Sequence, residues 1–331
     1  MLAFLLSLWI SGPAQAADLA QWASTRPNPA PVPEVAEGYR FTGDLFAHLA
    51  RRAAERPGVV TVESIGESVR GEPIWAFHVQ RPGPEAPQKA LVFAGIHALE
   101  WISTEVAVDL LDELIEAPPD GVRVTVIPLL NPDGRDRVEQ DLMSGENRYR
   151  RGNGANIDLN RDFAVNTEVR AVWSALIPGY YSHSAVPLSQ PESRALDRLL
   201  AREGYDRSAS LHAFGGYIYT PWAGRFARPE AWAEHVELGR RMERAQGAHA
   251  YRTRQLARWG FFFRAQGAEV DHVYGTYGTL SYLIELTRSG VDLRRPFHSW
   301  KTYFRWYNPT NVARHRKKGL AAVRVLARDW E

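Results

Sequence analysis

Three features of the sequence predict one α/β domain built on a mixed, largely buried central β-sheet flanked by helices. Short apolar runs such as Ala90 to Ala94, Ser208 to Ala213 and Leu280 to Leu286 have the length of strands covered on both faces. Between them lie longer stretches with apolar residues three and four apart, the pattern of helices that cover a sheet. No internal repeat, low-complexity block or long linker divides the 331 residues, so these strands and helices fall to a single domain.

Along the chain, residues 17–37 read as an extended lead-in, with a Pro-rich part from Arg26 to Pro33 lying over the surface. Thr42 to Ala54 reads as a helix with Leu45, Leu49 and Ala53 on one face, stopped by Arg56-Pro57-Gly58. Val59 to Ile65 and Pro73 to Val79 alternate as a strand pair. Ala90 to Ala94 forms a buried strand that runs into Gly95-Ile96-His97. Thr104 to Ala117 is amphipathic, with Ser103 as its cap and Pro118-Pro119 as its stop. Val122 to Leu130 is a further buried strand, ended by the turn Asn131-Pro132-Asp133-Gly134. Pro191 to Arg202, Pro229 to Ala245 and Asn311 to Arg328 read as helices, and Ser208 to Ala213 and Leu280 to Leu286 as strands. In open α/β sheets ligands gather beyond the carboxyl ends of strands, so the residues just after the short strands are where chemistry is expected.

Composition narrows that chemistry. With 40 basic and 38 acidic side chains the formal charge is +2, without the basic excess of a nucleic-acid-binding surface. An aromatic content of 11% excludes a disordered chain. There is no cysteine, which removes disulfides, thiolate zinc sites and cysteine nucleophiles together, so any metal must be held by His, Asp or Glu. Leu2 to Ile10 is apolar and is followed by Ser11-Gly12-Pro13 and Ala14-Gln15-Ala16, the pattern of a signal peptide (residues 1–16) cleaved after Ala16. That run is shorter than the ~20 residues of a spanning helix, so the expectation is an exported protein, periplasmic or secreted, with no transmembrane segment in its mature chain.

Four segments carry candidate chemistry. His97 and Glu100 are an H-x-x-E pair between a strand and a helix, where side chains three apart can converge on one ion; a surface pair is the alternative. His212 ends another apolar strand and offers a third ligand, unless it is a core histidine bonded to a carbonyl. Two His and one Glu make a catalytic zinc set with a fourth position left for water. Glu285 sits within the apolar run Leu280 to Leu286 and must be paired, protonated or near a cation; Arg288 is the nearest pairing candidate. Beside a metal it would serve as a general base. Finally, residues 150–161 (Arg150-Arg151-Gly152-Asn153-Gly154-Ala155-Asn156-Ile157-Asp158-Leu159-Asn160-Arg161) form a Gly/Asn loop carrying three arginines, suited to a carboxylate or phosphate, or else a solvated basic loop.

Taken in order, G-I-H-A-L-E-W, N-P-D-G, D-L-N-R, L-H-A-F and I-E-L-T-R-S-G closely resemble the motifs of the zinc metallocarboxypeptidases of the carboxypeptidase A/B type, from about Gly38 to the last helix. The resemblance implies a catalytic domain over residues 38–331. It implies that His97, Glu100 and His212 bind one Zn2+ per chain and that Glu285 activates the water this ion carries, then protonates the leaving amine. Arg151 would polarise the scissile carbonyl, Asn160 and Arg161 would grip the substrate's terminal carboxylate, and Asp158 would orient His97. Val270 would line the specificity pocket, favouring neutral or hydrophobic C-terminal residues, with Glu269 reversing that preference if the register slips by one. Phe263 falls where relatives place a substrate-capping tyrosine, a role that Tyr274 or Tyr277 takes over or that is absent, and Leu99 replaces an arginine found beside the zinc motif in many relatives.

The function so implied is an exported zinc carboxypeptidase acting on peptides with a free C-terminal carboxylate, whether of protein or peptidoglycan origin. A peptidoglycan stem-peptide amidase or carboxypeptidase using the same zinc site is the alternative reading. An inactive peptide-binding protein is a third, opposed by the retention of all three ligands and Glu285. Residues 17–37 are too few for an inhibitory prodomain of the pancreatic kind, and the 46 residues after Glu285 suffice for one terminal helix but no appended β-domain.

Overall fold

The computed structural model describes residues 13–168, 184, 186–259, 264–288 and 303–330. Eight strands form one mixed sheet: β1 (Val60–Glu67), β2 (Pro73–Val79), β3 (Gln88–Ala94), β4 (Val122–Ile127), β5 (Arg207–Ala213), β6 (Tyr217–Thr220), β7 (Arg252–Gln255) and β8 (Leu280–Leu286). Their spatial order is β1-β2-β4-β3-β5-β8-β6-β7. The four central strands β4, β3, β5 and β8 are parallel, and antiparallel pairing begins outside them, at β2 and at β6. The apolar runs read as doubly covered strands are these central ones: Leu91, Val92, Ala209, Leu211 and Ile284 are wholly buried.

Helices α1 (Pro13–Ser24), α2 (Thr42–Glu55), α3 (Trp101–Glu116), α4 (Pro132–Met143), α5 (Pro191–Glu203), α6 (Trp232–Ala245), α7 (Glu269–Tyr277), α8 (Tyr303–Tyr307) and α9 (Val312–Arg328) surround it. One core joins α2, α3 and α9 to one face of the sheet through residues such as Phe46, Leu110 and Val323. The other face meets α5 and α7 through Leu196, Leu199, Leu200 and Val273. Among the described residues no helix is long and apolar enough to cross a membrane.

Most of the expected elements are present within one to three residues, and the departures have local causes. Residues 17–37 are not uniformly extended: α1 occupies Pro13–Ser24 and runs across the expected cleavage point. Its Leu19 and Ala23 are buried, and Trp22 packs edge-on against Phe46 and donates Nε1–H to Glu72. Helix α3 starts at Trp101, not Thr104, and Ser103 does not cap it but donates its hydroxyl to the Glu100 carbonyl within the first turn. The N-cap position belongs to Glu100, whose carboxylate is turned toward other partners. The strand read as Val122 to Leu130 stops at Ile127, and Asn131-Pro132-Asp133-Gly134 opens α4: the Asn131 side chain accepts from Gly134 N, and Pro132 sits in the first turn. Short β6, β7 and α8, together with α4 and α7, had no clear periodic signal.

Topology sets the location of the chemistry. The carboxyl ends of β3, β5 and β8 lie side by side, with His212 directly across from Glu285 in the parallel register. The chain leaves β3 through Gly95, at φ +65°, where a Cβ would stand 2.8 Å from the Leu129 side chain, so only glycine fits the turn toward His97. Asn131 holds that edge together. While capping α4 it donates its Nδ2 to the carbonyls of Ile96 and Gly152, tying the His97 turn to the 150–161 loop. Asn131→Ala removes one cap and leaves two buried carbonyls without their donor, an expected loss of roughly 2–4 kcal/mol by urea unfolding.

Candidate metal centre

Three side chains converge beyond those strand ends. His97 follows β3, Glu100 is the N-cap of α3, and His212 is the penultimate residue of β5. The His97 Nδ1 lies 2.8 Å from Glu100 Oε1, the His212 Nδ1 lies 3.2 Å from Glu100 Oε2, and the two Nδ1 atoms are 3.1 Å apart. All three residues are buried. Two imidazole lone pairs and a carboxylate facing one another at about 3 Å are mutually repulsive unless a proton or a cation lies between them. Ligands held at about 2 Å by one tetrahedral ion have comparable separations. The outer contacts agree: the His97 Nε2 is 3.0 Å from Asp158 Oδ1 and the His212 Nε2 is 3.0 Å from Glu269 Oε1, so each ring offers Nδ1 to the shared space. Counting Glu100, Asp158 and Glu269 against the Arg151 guanidinium leaves two negative charges, which a divalent cation matches. The donor set of two imidazoles and one carboxylate fits zinc.

The loop of residues 150–161 closes over this group. Asn153 shapes it, its Oδ1 accepting from Ala155 N and Ile157 N, and Ala98 N donates to the Arg151 carbonyl. Its three arginines have different fates. Arg150 turns away to a two-point pair with Asp141, whereas Arg151 donates Nε to Asp158 Oδ2 at 2.8 Å and reaches Glu100 at 3.5 Å. Arg151, Asn160 and Arg161 all line a cleft of about 550 Å³ that also contains His97, Glu100, His212 and Glu285. The Asn160 Oδ1 accepts from Glu269 N, leaving its amide N–H groups for a ligand in the cleft.

Electrostatics divides the carboxyl groups. Burial opposes ionisation of Glu100 and Asp158, but His97 and His212 hold Glu100, and Arg151 and His97 hold Asp158, well below the usual carboxylate range. Glu285 goes the other way: burial and then the Glu100 charge push it up to about 8 against the pull of His212 and Arg151. Its Oε2 is buried without a hydrogen-bond partner, and Arg288, the candidate partner from sequence, packs against Gly216 instead of forming an ion pair with it.

Among the described residues, the cleft thus gathers every expected site residue except Asp158 and Val270. Asp158 lies behind His97, in contact with it. Val270 does not face the cleft; it is buried in the second residue of α7 behind a wall formed by Tyr219, Leu256, Ala265 and Leu283. Helical periodicity in α7 turns it inward, a rotation that counting back from Glu285 cannot anticipate. Phe263 lies outside the described residues. Tyr274 and Tyr277 are committed elsewhere, to Ala231 N and to Asp197, while Tyr217, Tyr219 and Tyr307 line the cleft. The residue the sequence reading gave no role at the metal is Glu269, considered only as a pocket residue; the one available signal was an acid beside the predicted pocket position.

Comparison with known proteins gives a consistent result. A family profile described as zinc carboxypeptidase matches residues 45–306. The chain is 30% identical over 208 residues to the uncharacterized protein YqgT of Bacillus subtilis, covering 54% of each. It is 27% identical over 207 residues to carboxypeptidase SOL1 of Arabidopsis thaliana, covering 59% of this chain and 38% of that one. It therefore spans about half the length of the first relative and less of the second. Its fold is similar to that of bovine thrombin-activatable fibrinolysis inhibitor, solved in complex with tick carboxypeptidase inhibitor: TM-score 0.71, 20% identity, 88% of this chain and 97% of that one.

The metal-free centre is expected to bind its ion in exchange for protons. Burial disfavours a charged His212, but Glu269 and Glu100 outweigh it and raise its pKa to about 10. Near neutral pH one proton therefore occupies the site and must leave before both Nδ1 atoms can coordinate, so zinc affinity rises with pH up to about 10. Calorimetric titrations with zinc near neutral pH, in buffers of different protonation enthalpy, should report about one proton released per ion from His212 and up to one more from Glu285; heats independent of the buffer would contradict this charge assignment.

Proposed function

This chain belongs to the zinc carboxypeptidase family, and from that premise we propose that it hydrolyses the last peptide bond of substrates bearing a free C-terminal carboxylate. The observation that carries the reading is the shared cleft: the His97–Glu100–His212 centre, Glu285 and the donors Arg151, Asn160 and Arg161 line one space. Zinc held there supplies a Lewis acid and brings the pKa of a coordinated water to about 7.

The chain's own groups do the rest. Glu285 takes the proton of the attacking water and passes it to the departing amine nitrogen. Its raised pKa suits both halves of that task, because positive charge in the neighbouring site favours the carboxylate while burial favours its reprotonation. Arg151, clamped by Asp158, meets negative charge developing on the carbonyl oxygen. Arg161 and the Asn160 amide take the terminal carboxylate and so fix which bond lies over the metal. The wall of Tyr219, Leu256, Ala265 and Leu283, with Trp259 at the cleft, favours an apolar C-terminal side chain.

A peptide with a free C-terminus should be cleaved roughly 100-fold faster than its C-terminal amide, since the amide lacks the negative charge that Arg161 and the Asn160 amide would take up. Equal rates would contradict the clamp, and turnover confined to muropeptides would point to a cell-wall substrate. Glu285→Gln should lower kcat by roughly 10²–10⁴-fold with zinc still near one per chain by metal analysis; full activity would show that another group is the base.

A further inference from the structure

Both histidines of the centre rest on a carboxylate, but Glu269, partner of the second, lies one residue before the position first assigned to the specificity pocket. We infer that Glu269 is the positioning residue for His212, fixing the tautomer and the ring plane that present Nδ1 to the metal. This rests on the metallopeptidase reading of the centre and adds a second carboxylate–histidine pair to it.

The contacts leave Glu269 little other purpose. It is wholly buried in the first turn of α7 and does not line the cleft, so it cannot serve as the charged floor of a substrate pocket. One oxygen, Oε1, receives both the His212 Nε2 at 3.0 Å and the Ser210 hydroxyl at 2.7 Å. Ser210 and His212 lie two apart on β5 and so face the same side of the strand, which makes the carboxylate a bracket across two successive positions of that face. The backbone is pinned as well, Glu269 N donating to Asn160 Oδ1 at 3.0 Å. The remaining oxygen, Oε2, is buried and makes no hydrogen bond, so the carboxylate's contacts all pass through Oε1 to the β5 face that carries His212. A proton kept on Nε2 by Glu269 leaves the lone pair on Nδ1, the atom that faces Glu100 and His97.

Zinc affinity by chelator competition, and the visible absorption of the cobalt(II)-substituted protein, test this without reference to turnover. Glu269→Gln keeps size and an acceptor but loses the charge; it should weaken zinc binding roughly 10–100-fold and alter the cobalt spectrum. Ser210→Ala, which frees one side of the bracket, should weaken binding a few-fold and covers the case in which Glu269→Gln fails to fold. Wild-type affinity and spectrum in Glu269→Gln, or unchanged affinity in Ser210→Ala should the first variant not fold, would overturn the assignment. A wild-type protein that binds zinc but cleaves no peptide would instead refute the proposed function and leave this inference standing.

Discussion

Glu100, Asp158, Glu269 and Glu285 bring four carboxyl groups to one edge of the sheet, three of them almost wholly buried, with the Arg151 guanidinium bonded to two. Removing so much like charge from water is unfavourable unless it is neutralised in place. The surroundings resolve it unevenly. Asp158 and Glu100 are kept ionised by arginine and imidazole, Glu269 is matched to an imidazole, and Glu285 alone has an oxygen without a partner in the cleft and a raised pKa. Groups of one type whose environments drive their pKa values apart are what acid–base chemistry requires, and here the separation falls between Glu100 and Asp158, held low, and Glu285, pushed up.

The rest of the structure keeps that arrangement from relaxing. The central strands are parallel and covered on both faces, so their carboxyl ends are rigid and cannot slip register without exposing a core face. Two polar residues then secure the loops that this edge needs. Asp158 holds His97 with one oxygen and Arg151 with the other, while the same first oxygen accepts from Asn160 N. One side chain thereby fixes the His97 ring, the Arg151 guanidinium and the backbone at Asn160. Asn131 does the equivalent for the backbone, joining the turn after β3, the first turn of α4 and the 150–161 loop. The glycine and asparagine content of that loop is explained by close backbone approach: a Cβ at Gly152 would lie 2.7 Å from the Asn156 backbone.

Much of this was legible in the sequence. The apolar runs identified the central strands, because a strand covered on both faces must be apolar at every position, and His97, Glu100, His212 and Glu285 all stand at or near the ends of such runs. The roles expected of Arg151, Asp158, Asn160 and Arg161 came from the resemblance of D-L-N-R and the residues before it to the family's motifs, and the structure brings Arg151, Asn160 and Arg161 to one cleft. Residue type and short spacing by themselves reach as far as the convergence of His97 and Glu100, since a three-residue separation at a helix start limits where side chains can go. What only the tertiary structure decided are the relations across the sheet. Glu269 meets His212 over 57 residues and Asp158 meets His97 over 61, and both contacts exist because β3, β5 and β8 are neighbours in space though not in sequence. Val270 is turned inward and Glu269 toward His212 by the rotation of α7, and Arg150 pairs with Asp141 away from the cleft, because the side a residue faces depends on what its element packs against, which no local pattern encodes.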